Sequence, residues 1–399
     1  MIEELFAPER RRRLVLKRGK ERVASNRHPW IFAGAIHSEK GPDDAVIADL
    51  VDSGGAPVAS GFYSRHSQIR LRALTFGDEL LTPEVIAGRI DAAIGRRAAI
   101  VDGTTNACRL VHAEGDELSS LVIDRYDDVL VVEIANRGVE QLKPLLIDAL
   151  QRALSPRAIF FKNDLPVRAL EQLPVRDETW SGGAMGETPV ATTIRESGLQ
   201  FRVDPAGGQK TGFFLDQREN RRLTYQLAAH KRVLNLFSYT GAFGVYAAAG
   251  GAASVLNVDV SAPAIEMARE NFALNGLEGE FLVGDAFQYV RQRHDPVDLV
   301  ICDPPAFAKS RNDVERAARG YKDVNLFALR MIAPGGMLMT FSCSGHMSLD
   351  LFQKILFSAA VDAGRRLSFL RRLTAGPDHP VSIYCPEGEY LKGFLLQVH

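Results

Sequence analysis

The spacing of apolar positions changes along the chain, beginning with short stretches in which apolar and polar residues alternate. Up to about Thr75 these stretches include "RLVLKRG" and "SQIRLRAL", and Ser53-Gly54-Gly55 separates two of them. Alternation with a period of two is typical of half-buried strands, and glycines between two such strands favour a hairpin turn. The pattern therefore predicts a small β-rich module over residues 1–75.

Helical spacing enters the pattern after this module. In "LTPEVIAGRIDAAIGRRAAIV", Thr82 is placed as an N-cap, Pro83 opens the helix and Glu84 lies in its first turn. Further on, "VEQLKPLLIDALQRAL" is predicted to be helical despite Pro144, and "SSLVIDRYDDVLVVEIAN" predicts two strands joined at residues 125–128. Residues 76–195 are thus predicted to form a second, small α+β domain.

From Arg232 the pattern becomes a regular alternation of buried strands and helices. The predicted strands are "RVLNLFS", "SVLNVDVS", "GEFLVGDAF", "PVDLVICDPPAF" and "GGMLMTFSCSG", and Ser261 caps one of the helices between them. Such alternation predicts an α/β fold with a parallel doubly wound sheet, whose ligand site lies at the carboxyl ends of the strands. This third domain is predicted over residues 196–399 and begins with a hairpin that turns at Ser197-Gly198.

Composition supports a globular protein and excludes several classes. Hydrophobic residues make up 46% and charged residues 24% of the chain, and 399 residues are too many for one core. The four cysteines are scattered, without C-x-x-C or a histidine at ligand spacing, so no metal and no disulfide framework is expected. No signal peptide is visible, and "GAFGVYAAAGGAASVLNV" favours a buried helix and strand over a membrane span. We therefore expect a cytoplasmic protein that is not bound to a membrane.

Three successive strand ends carry residues that suit a nucleoside. Thr240 and Gly241 let the backbone turn tightly beside a ligand, Asp259 can accept bonds from ribose hydroxyls, and Asp285 and Phe287 can meet adenine. The absence of a G-x-G-x-x-G phosphate loop favours S-adenosylmethionine over NAD, and the pattern resembles the class I methyltransferases. The predicted cofactor contacts at the strand ends are Phe237, Tyr239, Thr240, Gly241, Asp259, Val260, Ser261, Gly284, Asp285, Ala286, Phe287, Asp303 and Pro304.

Asp303 and Cys343 indicate which atom receives the methyl group. Asp303 ends the fourth strand and Cys343 the fifth, and these strands are neighbours in the usual methyltransferase order. A thiolate that adds to C6 of a pyrimidine makes C5 nucleophilic, while a nearby carboxyl group can hold the edge of the base. Amino-directed enzymes usually carry an aromatic residue where this chain has Ala306. C5 methylation is therefore favoured, with N-methylation of guanine or adenine, and an RNA-binding factor without activity, as the alternatives.

Motifs along nearly the whole chain resemble one family. "RHPWIFAGAI", "GFYSRHSQIRLR", "DPAGGQKTGFFLDQRENR", "LNLFSYTGAFGVYAA", "DPPAFAKS" and "FSCSGHM" are similar to the ribosomal large-subunit RNA cytosine-5 methyltransferases. The resemblance implies an N-terminal PUA domain, a central α+β domain, a catalytic C-terminal domain, 23S ribosomal RNA as substrate and Cys343 as nucleophile. It also implies further cofactor contacts at Lys210, Thr211, Phe213, Asp216 and Arg218. Many RNA cytosine-5 methyltransferases have a second cysteine where Ala306 stands, so the base that removes the C5 proton is unassigned.

Basic residues near the N-terminus are the candidates for RNA contact. Residues 10–22 are "RRRRLVLKRGKER", with Glu21 as the only acid, although the net charge of the whole chain is −1. A solvated charged face is the commoner meaning of such a run, but within a PUA domain phosphate binding is favoured. The predicted RNA contacts are Arg11, Arg12, Arg13, Lys17, Arg18, Arg65, Arg70 and Arg72. The sequence leaves the oligomeric state open, a homodimer included.

Overall fold

The computed structural model describes residues 2–22, 26–186, 190–293, 295–308 and 310–399, which form two compact units. The first unit runs to Ile194 and adds Val203–Phe214 and Asp378–Gly388; the second contains Arg195–Arg202, Leu215–Pro377 and Glu389–His399. The first two predicted domains fall in the first unit, and the boundaries of the three domains stay a prediction. None of the helices in the described part of the chain has the length and apolar character needed to cross a membrane.

The first unit begins with a six-stranded sheet. Its strands are β1 (Arg12–Leu16), β2 (Trp30–Phe32), β3 (Ile36–Lys40), β4 (Ile47–Val51), β5 (Pro57–Tyr63) and β6 (Ile69–Phe76), in the order β2-β6-β5-β4-β1-β3. The predicted hairpin turn joins β4 to β5, and in it Asp52 Oδ1 accepts from the N–H groups of Gly54 and Ala56 at 2.8 and 2.9 Å. The predicted β-rich N-terminal module is therefore confirmed.

A second six-stranded sheet follows in the same unit. Its strands are β7 (Ala107–His112), β8 (Leu121–Tyr126), β9 (Val129–Ile134), β10 (Ala158–Phe161), β11 (Glu178–Ser181) and β12 (Ala184–Gly186), in the order β12-β11-β10-β9-β8-β7. The helices are α1 (Ile2–Leu5), α2 (Pro83–Arg97), α3 (Arg137–Gln141), α4 (Lys143–Leu154) and α5 (Val167–Leu170). Buried residues from both sheets, such as Phe62 and Ile123, join in one apolar core.

Two helix predictions in this unit have different outcomes. The hydroxyl of Thr82 accepts from the N–H of Val85 at 3.4 Å, so the predicted cap of α2 is confirmed. The single helix predicted around Pro144 is wrong, because α3 and α4 are separate helices that break at Leu142. Proline lacks an N–H to donate, and in the first turn of α4 that loss costs little.

A hairpin with Ser197-Gly198 at its turn lies at the predicted position. Its strands are β13 (Thr192–Glu196) and β14 (Leu199–Val203), and both turn residues have a positive φ, 52° and 84°. Buried Glu196 accepts from Arg221 of α6 (Arg218–Leu227), Nε to Oε1 and Nη2 to Oε2, both at 2.7 Å. The hydroxyl of Tyr246 donates to the same carboxylate at 3.0 Å. These bonds fix the end of β13 to α6.

The second unit is built on a seven-stranded sheet. Its strands are β15 (Arg232–Leu236), β16 (Ser254–Asp259), β17 (Glu280–Val283), β18 (Val297–Cys302), β19 (Ile332–Ser342), β20 (Leu367–Leu373) and β21 (Lys392–Val398), in the order β17-β16-β15-β18-β19-β21-β20. Strands β15 to β19 are parallel, and β21 runs antiparallel to both of its neighbours. The predicted parallel sheet is confirmed, and β18 and β19 lie side by side.

Helices cover this sheet. They are α6, α7 (Ala242–Ala249), α8 (Ala262–Leu274), α9 (Ala286–Gln292), α10 (Val314–Met331) and α11 (Leu349–Ala363). The hydroxyl of Ser261 accepts from the N–H of Ala264 at 3.3 Å and caps α8, as predicted. A Cβ at Gly244 would lie 2.2 Å from Asn257 Oδ1, so only glycine lets α7 approach β16 this closely.

Candidate active site

The segment after β15 forms a strained turn that one carboxylate holds in place. Phe237, Tyr239 and Gly241 all have a positive φ, at 56°, 48° and 76°. Such a backbone costs a non-glycine residue on the order of 1 kcal/mol and needs support from its surroundings. Asp259 provides that support, because its Oδ2 accepts from the N–H of Tyr239 at 2.8 Å and its Oδ1 from that of Ser261 at 2.9 Å. The predicted ribose carboxylate therefore also shapes the turn.

Polar groups in this turn fit a nucleoside. The hydroxyl oxygens of Ser238 and Thr240 are buried and have no hydrogen-bond partner among the described residues. Buried polar groups normally have a partner, so these two are suited to a ligand. Each oxygen of Asp259 also keeps a lone pair beyond its bond to the backbone. The turn thus fits S-adenosylmethionine, which carries hydroxyl and amino groups to bond with it.

The end of β17 carries the predicted adenine contacts. Asp285 is exposed and caps α9, because its Oδ1 accepts from the N–H of Gln288 at 2.9 Å. The ring of Phe287 lies 5.8 Å from that of Phe237 and 5.8 Å from that of Phe307, measured between centroids. Aromatic packing therefore joins the ends of β15, β17 and β18, and an open cleft of about 540 Å³ is lined by Asp285 and Phe287.

Three smaller predicted positions complete these strand ends. The N–H of Gly284 donates to the carbonyl of Asp259 at 2.9 Å, which ties the end of β17 to that of β16. Ala286 is buried in the first turn of α9, whereas Val260 is 74% exposed. Their contact with the cofactor stays a prediction.

Asp303 lies just beyond β18, where the fourth parallel strand ends. Its Oδ2 accepts from the side-chain N–H of Gln217 at 2.9 Å, a bond that orients the carboxylate. Nearby in the chain, Asp216 accepts from the hydroxyl of Tyr390 at 2.6 Å, and Arg218 is buried at the start of α6. Gln217 was not singled out by the sequence, although its position between two predicted contacts is a signal that could have identified it.

Cys343 directly follows β19, and Asp303 directly follows the neighbouring strand β18. Of the four cysteines, all of which the structure describes, Cys343 alone is partly exposed. Burial raises the pKa of the Cys302 thiol and raises that of Cys385 to about 12, so neither supplies a thiolate near neutral pH. Cys343 Sγ lies 3.7 Å from the carbonyl oxygen of Pro304. The predicted nucleophile and the predicted acid thus lie at adjoining strand ends.

Two serines on either side of the predicted nucleophile are bound to one tyrosine. The hydroxyl of Ser342 donates to that of Tyr321 at 3.0 Å, and the hydroxyl of Ser344 lies 3.2 Å from it. Ser344 also accepts from the N–H of Ala308 at 3.2 Å, while the ring of Tyr321 lies 4.6 Å from that of Phe307. The segments after β18 and β19 are therefore tied together through α10. The repeated serine in "SCS" is the only sequence signal for this arrangement.

A buried lysine lies beside the predicted nucleophile. Lys392 is paired with Ser342 in the register of β19 and β21, and it is 6% exposed. Its Nζ donates to the carbonyl oxygens of Ser344 and Tyr390, both at 3.1 Å, and it forms no ion pair with a carboxylate of the described residues. Burial lowers the pKa of Lys392, and the negative charges of Glu389 and, to a smaller extent, Cys343 partly offset this effect. A cation in this position favours the thiolate form of a cysteine.

Three predicted cofactor contacts lie in the first unit. Thr211 is fully buried. Its hydroxyl donates to Asp124 at 2.5 Å and lies 2.8 Å from the hydroxyl of Tyr126. Tyr126 also donates to the carbonyl of Phe213 at 3.3 Å. The ammonium of Lys210 lies 4.4 Å from the centre of the Phe214 ring. These bonds hold the segment within its own unit, and its contact with the cofactor stays a prediction.

The predicted RNA contacts differ in their protein partners. Five of them form ion pairs with acidic residues of the first unit: Arg11, Arg12, Arg65, Arg70 and Arg72. Arg72 is buried beside Glu171, with the nearest nitrogen and oxygen 3.7 Å apart. Arg13, Lys17 and Arg18 are exposed and have no acidic partner among the described residues. Phosphate contact is therefore best supported at these three positions.

One cluster of metal-ligand types occurs among the described residues. The ligand atoms of His28, Cys385 and Glu387 lie within 4.8 Å of one another. His28 Nδ1 accepts from the N–H of Trp30 at 3.1 Å, and its Nε2 lies 3.3 Å from Glu387 Oε2. These contacts hold the three side chains together, and the absence of a metal stays a prediction.

The fold and the site together define a methyltransferase that uses S-adenosylmethionine. The sheet carries a nucleoside-fitting turn after β15, and it places a cysteine and an acid just beyond the ends of the neighbouring strands β19 and β18. The S-adenosylmethionine-dependent methyltransferase family matches residues 109–390, and a PUA-like domain matches residues 14–76. The predicted cofactor and fold class are confirmed.

The chain belongs to the ribosomal RNA large subunit methyltransferase I family. It is 42% identical over 398 residues to the member from Shewanella denitrificans, covering 97% of this chain and 99% of the relative. It is 43% identical over 393 residues to the member from Tolumonas auensis, with 96% and 98% covered. The Klebsiella pneumoniae (strain 342) member is 41% identical over 409 residues, with 100% of both chains covered.

Two solved structures share the fold over nearly the whole chain. One, described as an S-adenosylmethionine-dependent methyltransferase from Streptococcus mutans, has a TM-score of 0.81 at 22% identity and covers 97% of this chain and 100% of its own. The other was solved with S-adenosylhomocysteine and has a TM-score of 0.82 at 23% identity, with the same coverage. At this identity the likeness concerns the fold.

Proposed function

We propose that this protein transfers a methyl group from S-adenosylmethionine to C5 of a cytosine in 23S ribosomal RNA, in the cytoplasm. The observation that supports this most is the position of Cys343, a partly exposed thiol 3.7 Å from the carbonyl of Pro304 and next to the strand that ends at Asp303. The names of the relatives and the PUA-like domain support ribosomal RNA as the substrate.

Cys343 supplies the nucleophile in this reaction. Its thiolate forms a bond to C6 of the cytosine, and the displaced electron pair makes C5 nucleophilic. Asp303, oriented by Gln217, accepts from the amino group of the base and shares a proton with N3, which stabilises the negative charge that develops there. When bound, S-adenosylmethionine supplies an electrophilic methyl group. Once C5 carries that group, a base removes the C5 proton, which expels the thiolate and restores the ring. Ala306 has no group that could act as this base.

The target cytosine has to be unpaired or turned out of its helix. The thiol of Cys343 reaches C6 only if the face of the base is open to it, which a stacked and paired base does not allow. The substrate is therefore a cytosine in a loop, a bulge or a locally opened helix.

The decisive test replaces the thiol. Cys343→Ala should reduce formation of 5-methylcytidine by about a thousandfold or more, because a residue needed for bond formation is removed. The assay uses undermethylated large-subunit RNA with labelled donor, followed by nucleoside mass spectrometry. Cys302→Ala is the matched control, since this buried cysteine lies on the adjacent strand and should leave methyl transfer intact. If Cys343→Ala forms 5-methylcytidine as fast as the wild type does, the proposal is wrong.

N-methylation is less well supported by the site. Enzymes that methylate amino groups usually stack the target base on an aromatic ring directly after the prolines, where this chain has Ala306. The next residue, Phe307, packs against Tyr321 with 4.6 Å between ring centroids and so belongs to the aromatic cluster. Detection of a methylated amino group in place of 5-methylcytidine would favour this alternative. A failure to bind S-adenosylmethionine in calorimetry would instead favour a binding factor without activity.

A further inference from the structure

An arginine-lined cleft of about 340 Å³ lies in the second unit. Its walls come from α6 on one side and from the end of β20, with the segment that follows it, on the other. Three arginines line it, Arg222, Arg371 and Arg372, together with the acid Glu219. None of these residues belongs to the sites predicted from the sequence.

The positive charge of this cleft is not neutralised by the protein. Arg222, Arg371 and Arg372 are exposed, and their side chains form no ion pair or hydrogen bond with the residues that the structure describes. Glu219 lies 3.6 Å from Arg218 Nε and is therefore already engaged. Since the whole chain has a net charge of −1, three unpaired guanidinium groups in one cleft are a local concentration that attracts an anion.

Hydrogen bonds connect the floor of the cleft to the predicted catalytic acid. Asn220 lines the cleft, and its side-chain N–H group donates both to the carbonyl of Thr374 at 3.1 Å and to Gln217 Oε1 at 2.6 Å. Gln217 in turn donates to Asp303 at 2.9 Å. The cleft is thus separated from the position of the target base by two side chains of one helical turn.

We propose that this cleft binds the phosphates of the single-stranded RNA that adjoins the target cytosine. The inference rests on the proposed function, because the polyanion it names is the substrate of that reaction. Guanidinium groups bind phosphate oxygens through two parallel N–H bonds, and the exposed side chain of Gln226 adds a neutral donor. A cytosine that has left its helix needs its neighbouring strand held in place, which a row of phosphate contacts provides.

Charge reversal in the cleft tests this directly. Arg222→Glu, Arg371→Glu and Arg372→Glu should each weaken binding of a fluorescent large-subunit RNA transcript about fivefold or more in an anisotropy titration. The slope of log affinity against log salt should also become shallower by about 0.7 for each phosphate that the variant no longer binds. Arg366→Glu is the matched control, because this exposed arginine directly precedes β20, has no side-chain partner among the described residues and lies outside the cleft.

The contrary results are equally distinct. If the cleft variants bind RNA as Arg366→Glu does, the arginines only protect the edge strand and the proposal is overturned. A second contrary result is that inorganic phosphate binds the wild type but not the variants, while RNA affinity is unchanged. The ligand of the cleft would then be a small phosphate compound, and the proposal would again be overturned. Donor binding by calorimetry reports that the fold is intact, and Arg371→Gln/Arg372→Gln replaces any variant that misfolds. The anisotropy titration does not measure methyl transfer. The proposal for the cleft can therefore be overturned while C5 methylation holds, and C5 methylation can be overturned while the proposal for the cleft holds.

Discussion

At the scale of single residues, the surroundings of Cys343 distinguish it from the other cysteines. Its two neighbouring serines are fixed to Tyr321, and the ammonium of Lys392 lies beside it without a carboxylate partner among the described residues. Buried charges are normally paired, because an isolated charge loses its hydration. The negative charges that act on this lysine are the carboxylate of Glu389, which is not ion-paired with it, and the thiolate of Cys343.

Removing that positive charge should make Cys343 less reactive. In Lys392→Met the fraction of Cys343 present as thiolate falls, so we expect alkylation by iodoacetamide at pH 7 to slow several-fold. Peptide mass spectrometry measures the rate at this residue alone, since the other three cysteines are buried.

Lys392→Arg is the conservative control and should keep most of the wild-type rate, because it keeps the charge. Equal alkylation rates in Lys392→Met and the wild type would show that the lysine serves only to bind the two carbonyl groups, Ser344 and Tyr390, that it contacts.

At the scale of elements, local signals predicted those features that depend on adjacent residues. The caps at Thr82 and Ser261 need only a hydroxyl three residues before an N–H, and the turn at Ser197-Gly198 needs only two residues that tolerate a positive φ. The break at Leu142 was missed because the apolar spacing is the same in two cases. Pro144 could either open a new helix or lie inside one longer helix.

The candidate site was predictable at its strand ends and not between them. Asp259, Asp303 and Cys343 end parallel strands, so their alignment follows from the alternating pattern. Lys392 reaches the same edge only because β21 inserts antiparallel between β19 and β20, a pairing that no local pattern reports. Tyr321 likewise lies in an ordinary helix, and its two serine partners are far away in sequence.

The ion pair between β13 and α6 gives a prediction about the stability of these elements. Glu196→Gln should lower the free energy of unfolding by about 3–5 kcal/mol, because it leaves the guanidinium of Arg221 buried without its counter-charge. Chemical denaturation monitored by circular dichroism measures this loss.

A double variant serves as the control for this prediction. Glu196→Leu/Arg221→Met removes both charges and should therefore destabilise less than Glu196→Gln alone. A loss below about 1 kcal/mol in the single variant would contradict the prediction, since a buried charge would then cost no more than an exposed one.

At the scale of the whole molecule, two groups in the first unit oppose each other in their response to pH. His112 and Glu133 lie in one row across the second sheet, on either side of Val122. Burial, with Arg109 nearby, lowers the pKa of His112 from 6.5 to about 3, and burial raises the pKa of Glu133 from 4.5 to about 7. In the folded state both groups are therefore uncharged between pH 4.5 and 6.5.

Their effects on stability have opposite signs. The unfolded chain binds a proton at His112 below pH 6.5 that the folded chain does not, so this residue makes stability fall as pH decreases. The folded chain keeps a proton on Glu133 that the unfolded chain releases above pH 4.5, so this residue makes stability fall as pH increases. Between these two values the slopes cancel.

Single substitutions should reveal each slope. Glu133→Gln should make the first unit less stable by on the order of 2 kcal/mol when the pH falls from 6.5 to 5. His112→Gln should instead lose stability as the pH rises over the same range. Urea unfolding at several pH values measures both, and parallel pH profiles for the two variants would contradict the assignment.

If the protein methylates cytosine as proposed, the bonds from Tyr321 to the serines around Cys343 bear on how the target base is selected. A thiol whose neighbours on both sides are tied to the same helix has little freedom to travel toward a misplaced base. In the proposed reaction, alignment would therefore depend on the RNA, which would have to present the face of the base to a sulfur atom that moves little. Discrimination among cytosines would then take place before the proposed bond to C6 forms, and a misplaced base would dissociate unmodified.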